Sequence, residues 1–212
     1  MTSSIAHITG SSTAFEATDP IRPERLRGIA AGVTVGAVFG AAWAASAVSS
    51  LSPTITPAVV IVTAAIFGAL MTGARRLRRA ATALPPSAAG SGPPDVRWRF
   101  TIVLGAEWAL IIAAANLLGG PGRSQWLPAV ICAAVGLHFI PLARFFDVPL
   151  YYITAAVLCL VAATTMALGS TGSPATLWHL LPGFGAALTL WATSAGLLAW
   201  SGLPGISTST SR

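Results

Sequence analysis

Gly28-Ile29-Ala30-Ala31-Gly32-Val33-Thr34-Val35-Gly36-Ala37-Val38-Phe39-Gly40 opens a run that carries no charge as far as Ala74. Four glycines at a spacing of four drift only slowly around an α-helix. They form a groove without side chains, into which a second helix can press its backbone. In a long uncharged segment this is the packing surface of a transmembrane helix, and it carries no chemistry of its own.

Composition agrees with lipid as the solvent. The chain is 54% hydrophobic and only 8% charged, against roughly 25% charged in an ordinary soluble domain, so most of it cannot face water. All twelve basic residues are Arg, and with the abundant Ala and Gly this reads as the codon bias of a GC-rich bacterial genome. A pI near 11 would ordinarily point to nucleic acid. Here the arginines flank apolar segments, where topology and anionic headgroups account for them, and no nucleic-acid partner is expected.

Segments long enough to cross about 30 Å of hydrocarbon run from Gly28 to Val48, Ile55 to Gly73, Phe100 to Leu118, Trp126 to Phe145, Leu150 to Leu168 and Leu177 to Trp200. They lack the alternation of a barrel, so the expected fold is all-α, a polytopic six-helix transmembrane bundle. Residues 27–201 form that domain. Residues 1–26 read as a disordered cytoplasmic tail, 75–99 as a flexible cytoplasmic loop, and 202–212 as a second cytoplasmic tail. The basic segment at Arg22 to Arg27 starts late and its apolar run exceeds a usual signal core, so a retained span is expected over a cleaved signal peptide.

Arg22, Arg25, Arg27, Arg75, Arg76, Arg78, Arg79, Arg97, Arg99, Arg144 and Arg212 fall on one side of this arrangement, and Arg123 alone falls on the other. The bias puts both termini in the cytoplasm and the protein in the cytoplasmic (inner) membrane, with the bilayer as its first partner. Trp98, Trp126, Trp178 and Trp200, with Tyr151 and Tyr152, lie near span ends and read as an interfacial belt. Trp43, Trp108 and Trp191 lie deeper and are expected to pack between helices. Small residues recur as Gly105, Ala109 and Ala113 and as Ala192 and Gly196. The Gly28, Gly32, Gly36, Gly40 stripe has two uses, a homo-oligomer contact or a seat for a helix of the same chain, and the second is what any such bundle needs. Pro182 and Gly183 are placed to kink or unwind the sixth helix.

Glu107 is the one acidic residue well inside a span, with Val103, Leu104, Leu110 and Ile111 on its own face. Ionised at the membrane centre, such a group costs about 2.5–3.5 kcal/mol, so it protonates, reaches water or finds a partner. His138 lies seven positions inward from Phe145 as Glu107 does from Phe100, roughly 10 Å deep on the antiparallel neighbour. The two can share a proton, or each can be satisfied separately. Cys132 and Cys159 read as small core residues some 9 Å and 15 Å from the outer ends of their helices, unsuited to a disulfide. Three scattered histidines, His7, His138 and His179, make no metal site. No phosphate loop or carboxylate pair occurs, and the rhomboid-protease comparison fails because the fourth span has no Ser nucleophile. Neither an enzyme nor a cofactor is expected.

Gly136-Leu137-His138-Phe139-Ile140-Pro141, then Phe145 and Tyr151-Tyr152-Ile153, resembles a stretch in small bacterial integral membrane proteins of a family of unknown function. The resemblance implies a multi-helix membrane protein and carries no activity. The leading expectation is a small-solute or ion permease, proton-linked through Glu107 and His138, its solute unspecified; the alternative is a non-transporting membrane scaffold or accessory subunit. A polar cavity reaching Glu107 favours the first, and a dry bundle the second. For the topology, cysteines introduced at Ser91 and at the carboxy terminus should label only from the cytoplasm and one at Ser124 only from outside; external labelling at position 91 would reverse the orientation.

Overall fold

The computed structural model describes residues 23–85, 94–120, 122–172, 174 and 176–201, with backbone alone at 94–97, 99–100 and 103–104. The tail expected before Pro23, the middle of the expected loop and the segment after Ser201 lie outside the described residues. Among those described, the chain is all-helical. It forms α1 (Pro23–Val48), α2 (Thr56–Ala83), α3 (Pro94–Leu118), a 3-10 turn at Ser124–Trp126, α4 (Leu127–Phe146), α5 (Leu150–Ser170) and α6 (Leu177–Trp200). All but α3 are long and apolar enough to cross a membrane, and the apolar part of α3 is the shorter Gly105–Leu118.

Several helices outrun the apolar segments that announced them. α2 continues through Arg75, Arg76, Arg78 and Arg79 to Ala83, and α3 begins at Pro94, so much of the connection read as a 75–99 loop is helix. Arg and Ala are strong helix formers, and a helix need not stop where hydrophobicity does. α1 likewise starts at Pro23, at a position where a missing N–H costs nothing. α6 runs unbroken through Pro182, and α4 through Pro141. The unwinding expected at Pro182 is absent: α6 stays helical there with one backbone donor missing. Between α4 and α5, Asp147 adopts a left-handed conformation (φ 51°) and the Val148 N–H bonds the Ala143 carbonyl at 3.1 Å, closing the turn read from Asp147-Val148-Pro149.

α6 is the hub. It packs against α1, α2, α4 and α5, and has the most buried apolar window of the five. α3 sits at the edge, meeting substantially only α4 and the 3-10 turn. The α1 stripe is the seat of α6. A Cβ at Gly36 would run into the Ser194 hydroxyl, one at Gly40 into the Trp191 indole, and one at Gly32 would lie 3.1 Å from the Tyr151 hydroxyl of α5; Gly28 faces open space. Trp191 Nε1 donates to the Ala37 carbonyl at 3.4 Å in the same seam. Across α5 and α6 the buried hydroxyls of Thr154 and Thr193 lie 2.7 Å apart, one donating to the other.

The aromatic expectations divide. Trp191 is buried and Trp98 and Trp200 face outward, but Trp108 is 54% exposed on the outer face of α3. Among the described residues no neighbour covers that side of this edge helix. Trp178, assigned to the belt, is instead buried and packs against Trp126 in a tilted pair with ring centroids 4.5 Å apart.

Gly36→Leu should cost about 2–3 kcal/mol, because the added side chain takes the space of Ser194 and the α6 backbone. Val38→Leu, on an outward face, should stay within about 0.5 kcal/mol. Thermal unfolding in detergent measures both, and equal shifts would show that the stripe seats nothing.

Candidate functional site

Along α3, residues 107, 111, 114 and 118 recur at helical spacing and are the shielded ones among the side chains described, so this stripe faces α4. Glu107 is its polar member. On α4, Cys132 and Gly136 turn toward α5, where the Cys132 thiol donates to the Leu158 carbonyl at 3.4 Å and a Cβ at Gly136 would lie 2.9 Å from Cys159 Sγ. His138, half a turn further on, turns the other way. The two side chains meet in the α3–α4 seam with His138 Nδ1 3.2 Å from Glu107 Oε2.

Both side chains are mostly covered, 10% exposed for His138 and 15% for Glu107. The distance is that of an ion pair, yet Nδ1 makes no aligned hydrogen bond. The contact is therefore electrostatic. The imidazole ring also meets the Phe139 ring edge-on at 6.3 Å. A carboxyl and an imidazole at this separation can hold one proton between them, which removes net charge from a seam bordering lipid.

The other polar side chains singled out by sequence lie apart. His179 is exposed at the N-terminal end of α6, on the rim of a groove of about 260 Å³ lined also by Phe39, Trp43 and Ser46 of α1 and Leu127, Pro128 and Ile131 of α4. A second groove of about 190 Å³ lies between α1 and α2 at Ala45, Val48, Val60 and Thr63. Neither groove is lined by Glu107 or His138. Cys132 and Cys159 are free thiols on adjacent helices, and no cluster of three metal-ligating side chains occurs among the described residues. His7 lies outside the described residues.

Sequence reading missed the Thr154–Thr193 hydroxyl pair and the contact of Arg78 Nη2 with Thr34 Oγ1 at 3.2 Å. Thr is common in spans and usually bonds its own helix, as Thr34, Thr165 and Thr189 do here. Nothing in the pattern singles out the two that pair across helices. No protein-family model, curated protein or solved structure matches this chain.

Glu107→Gln and His138→Gln should each destabilise the bundle, and the double change should cost about 1 kcal/mol less than their sum. Chemical or thermal unfolding of the four proteins in one detergent gives that coupling directly. Additive effects would mean that the 3.2 Å contact contributes nothing.

Proposed function

We propose that this chain is a bacterial inner-membrane protein with six spans and cytoplasmic termini that acts as a non-transporting scaffold or accessory subunit. The observation that carries this reading is the position of the ionisable pair. Glu107 and His138 lie in the seam between an edge helix and its main neighbour, and they line neither of the two grooves described above. A pair so placed fastens α3 to the bundle. On the opposite face of α3, Gly105, Ala109 and Ala113 point outward, and a Cβ at Gly105 would meet nothing. Gly32, Gly36 and Gly40 of the α1 stripe are taken up by α5 and α6, whereas this second small-residue face is open to a partner helix.

A proton-linked permease for a small solute or ion is the second reading. It is favoured by the chemistry of the pair itself: two proton-exchanging groups inside the spans, one with a nitrogen that makes no aligned hydrogen bond.

Two measurements separate the readings. Replacing Gly105 and Ala109 together with Leu should leave the bundle folded and reduce co-purification of its membrane partners, or its self-association by single-molecule photobleaching, at least several-fold. Proteoliposomes of the unaltered chain should show no pH-driven solute uptake above empty vesicles across a panel of ions and small metabolites. Uptake lost on Glu107→Gln in a folded protein would replace the scaffold with the permease.

A further inference from the structure

We infer that the outer flank of α1 and α2, at their arginine end, is a binding site for the phosphate of an anionic phospholipid, held by Arg27, Arg75 and Arg78. The inference rests on the chain being embedded in a membrane and is independent of whether it is a scaffold or a permease.

The arginine ends of α1 and α2 share one end of the bundle. Leu26 of α1, Leu77 and Ala81 of α2 and Leu197 and Leu198 of α6 belong to one core cluster, and the Arg25 guanidinium lies 5.8 Å from the Trp200 ring centre. Much of the positive charge there is generic and would follow from topology alone. Arg78 is different. A long side chain at the end of a span ordinarily runs outward, toward water. Arg78 instead reaches across to α1 and donates from Nη2 to Thr34 Oγ1 at 3.2 Å. Thr34 stands six residues inside the uncharged run, roughly 9 Å along the axis from Gly28. Its own hydroxyl donates to the Ala30 carbonyl at 2.7 Å, so its oxygen is fixed as the acceptor that receives Arg78.

Helical spacing sets two more arginines on the same flanks of these helices. Arg27 is seven residues before Thr34, two turns away on the same flank of α1, and Arg75 is one turn before Arg78 on α2. All three arginines are exposed, and none forms an ion pair with a carboxylate among the described residues. A guanidinium has five donors in a planar fork matched to a phosphate's oxygens, and one Nη2–H of Arg78 is accounted for by Thr34. One turn deeper than Thr34, Val38 is 47% exposed and continues the flank as an apolar surface. Charge at the boundary with an apolar strip running inward from it matches a headgroup and its acyl chain, and does not match a soluble anion.

The test uses the purified full-length chain in nanodiscs of phosphatidylcholine with and without phosphatidylglycerol, native mass spectrometry counting the phosphatidylglycerol retained. Arg27→Gln and Arg78→Gln should each lower retention about five-fold, the effect of losing one basic contact near a membrane surface. Arg76→Gln removes the same charge from the opposite flank of α2 and should change retention less than two-fold. Thr34→Val keeps every charge, releases Arg78, and should also lower retention; it carries the contrast if an arginine variant fails to fold. Equal losses for Arg76→Gln and Arg78→Gln, or no loss for Thr34→Val, would reduce the site to a diffuse basic cushion. Inorganic phosphate displacing the lipid at millimolar concentration would make it a soluble-anion site. Either result overturns the proposal.

Discussion

The close approach of α1 to α6 is the contact on which the rest of the bundle depends. Lipid is as apolar as a leucine side chain, so helices gain little by burying hydrophobic surface against one another, and short-range contact must hold them together. Gly36 and Gly40 let Ser194 and Trp191 approach the α1 backbone, and the Trp191 indole finds its acceptor there in the Ala37 carbonyl. With α6 seated, α5 and α4 have a surface to pack on. Gly183 against Ala47 extends this seam, and Gly185 against Val161 and Gly136 against Leu158 and Cys159 repeat the device between α5 and α6 and between α4 and α5.

Polar groups inside the spans are handled at two levels. Most hydroxyls bond a carbonyl of their own helix, as Thr165, Thr189 and Ser194 show. A few cross between helices. The Thr154–Thr193 pair does so in the buried α5–α6 seam, where a neutral hydrogen bond suffices. Glu107 and His138 do so at the edge, where α3 has few other contacts. An ionisable pair is a costly fastening, and it lies at the helix with the fewest neighbours.

Sequence was most informative where a single physical constraint acts. Charge-free length predicted helices, and α1, α2, α4, α5 and α6 are long and apolar enough to span. Glycine spacing predicted a close helix contact without naming the partner, because a stripe specifies small size and says nothing of what fills it. Equal depth placed Glu107 and His138 level; their rotation toward each other depends on how α3 lies on α4, which no local pattern encodes. The helix ends were misread for a related reason. Arg75 to Arg79 leave the apolar run, yet remain on α2, since hydropathy reports where lipid ends and propensity decides where a helix does. Trp108 was placed inside because its depth was legible and its azimuth was not.

The hub helix is the last of the six in chain order, and its seat is on the first. Between Gly40 and Leu177 a ribosome working at ~5–20 residues per second needs roughly 7–30 s, so the groove of α1 stands in the bilayer without its occupant for that long. Pairings between such distant segments form slowly in any case, because the intervening chain must be ordered first. The fold thus contains an interval in which a bare glycine face is open to other helices passing through the same insertion machinery. Synthesis of α6 ends it.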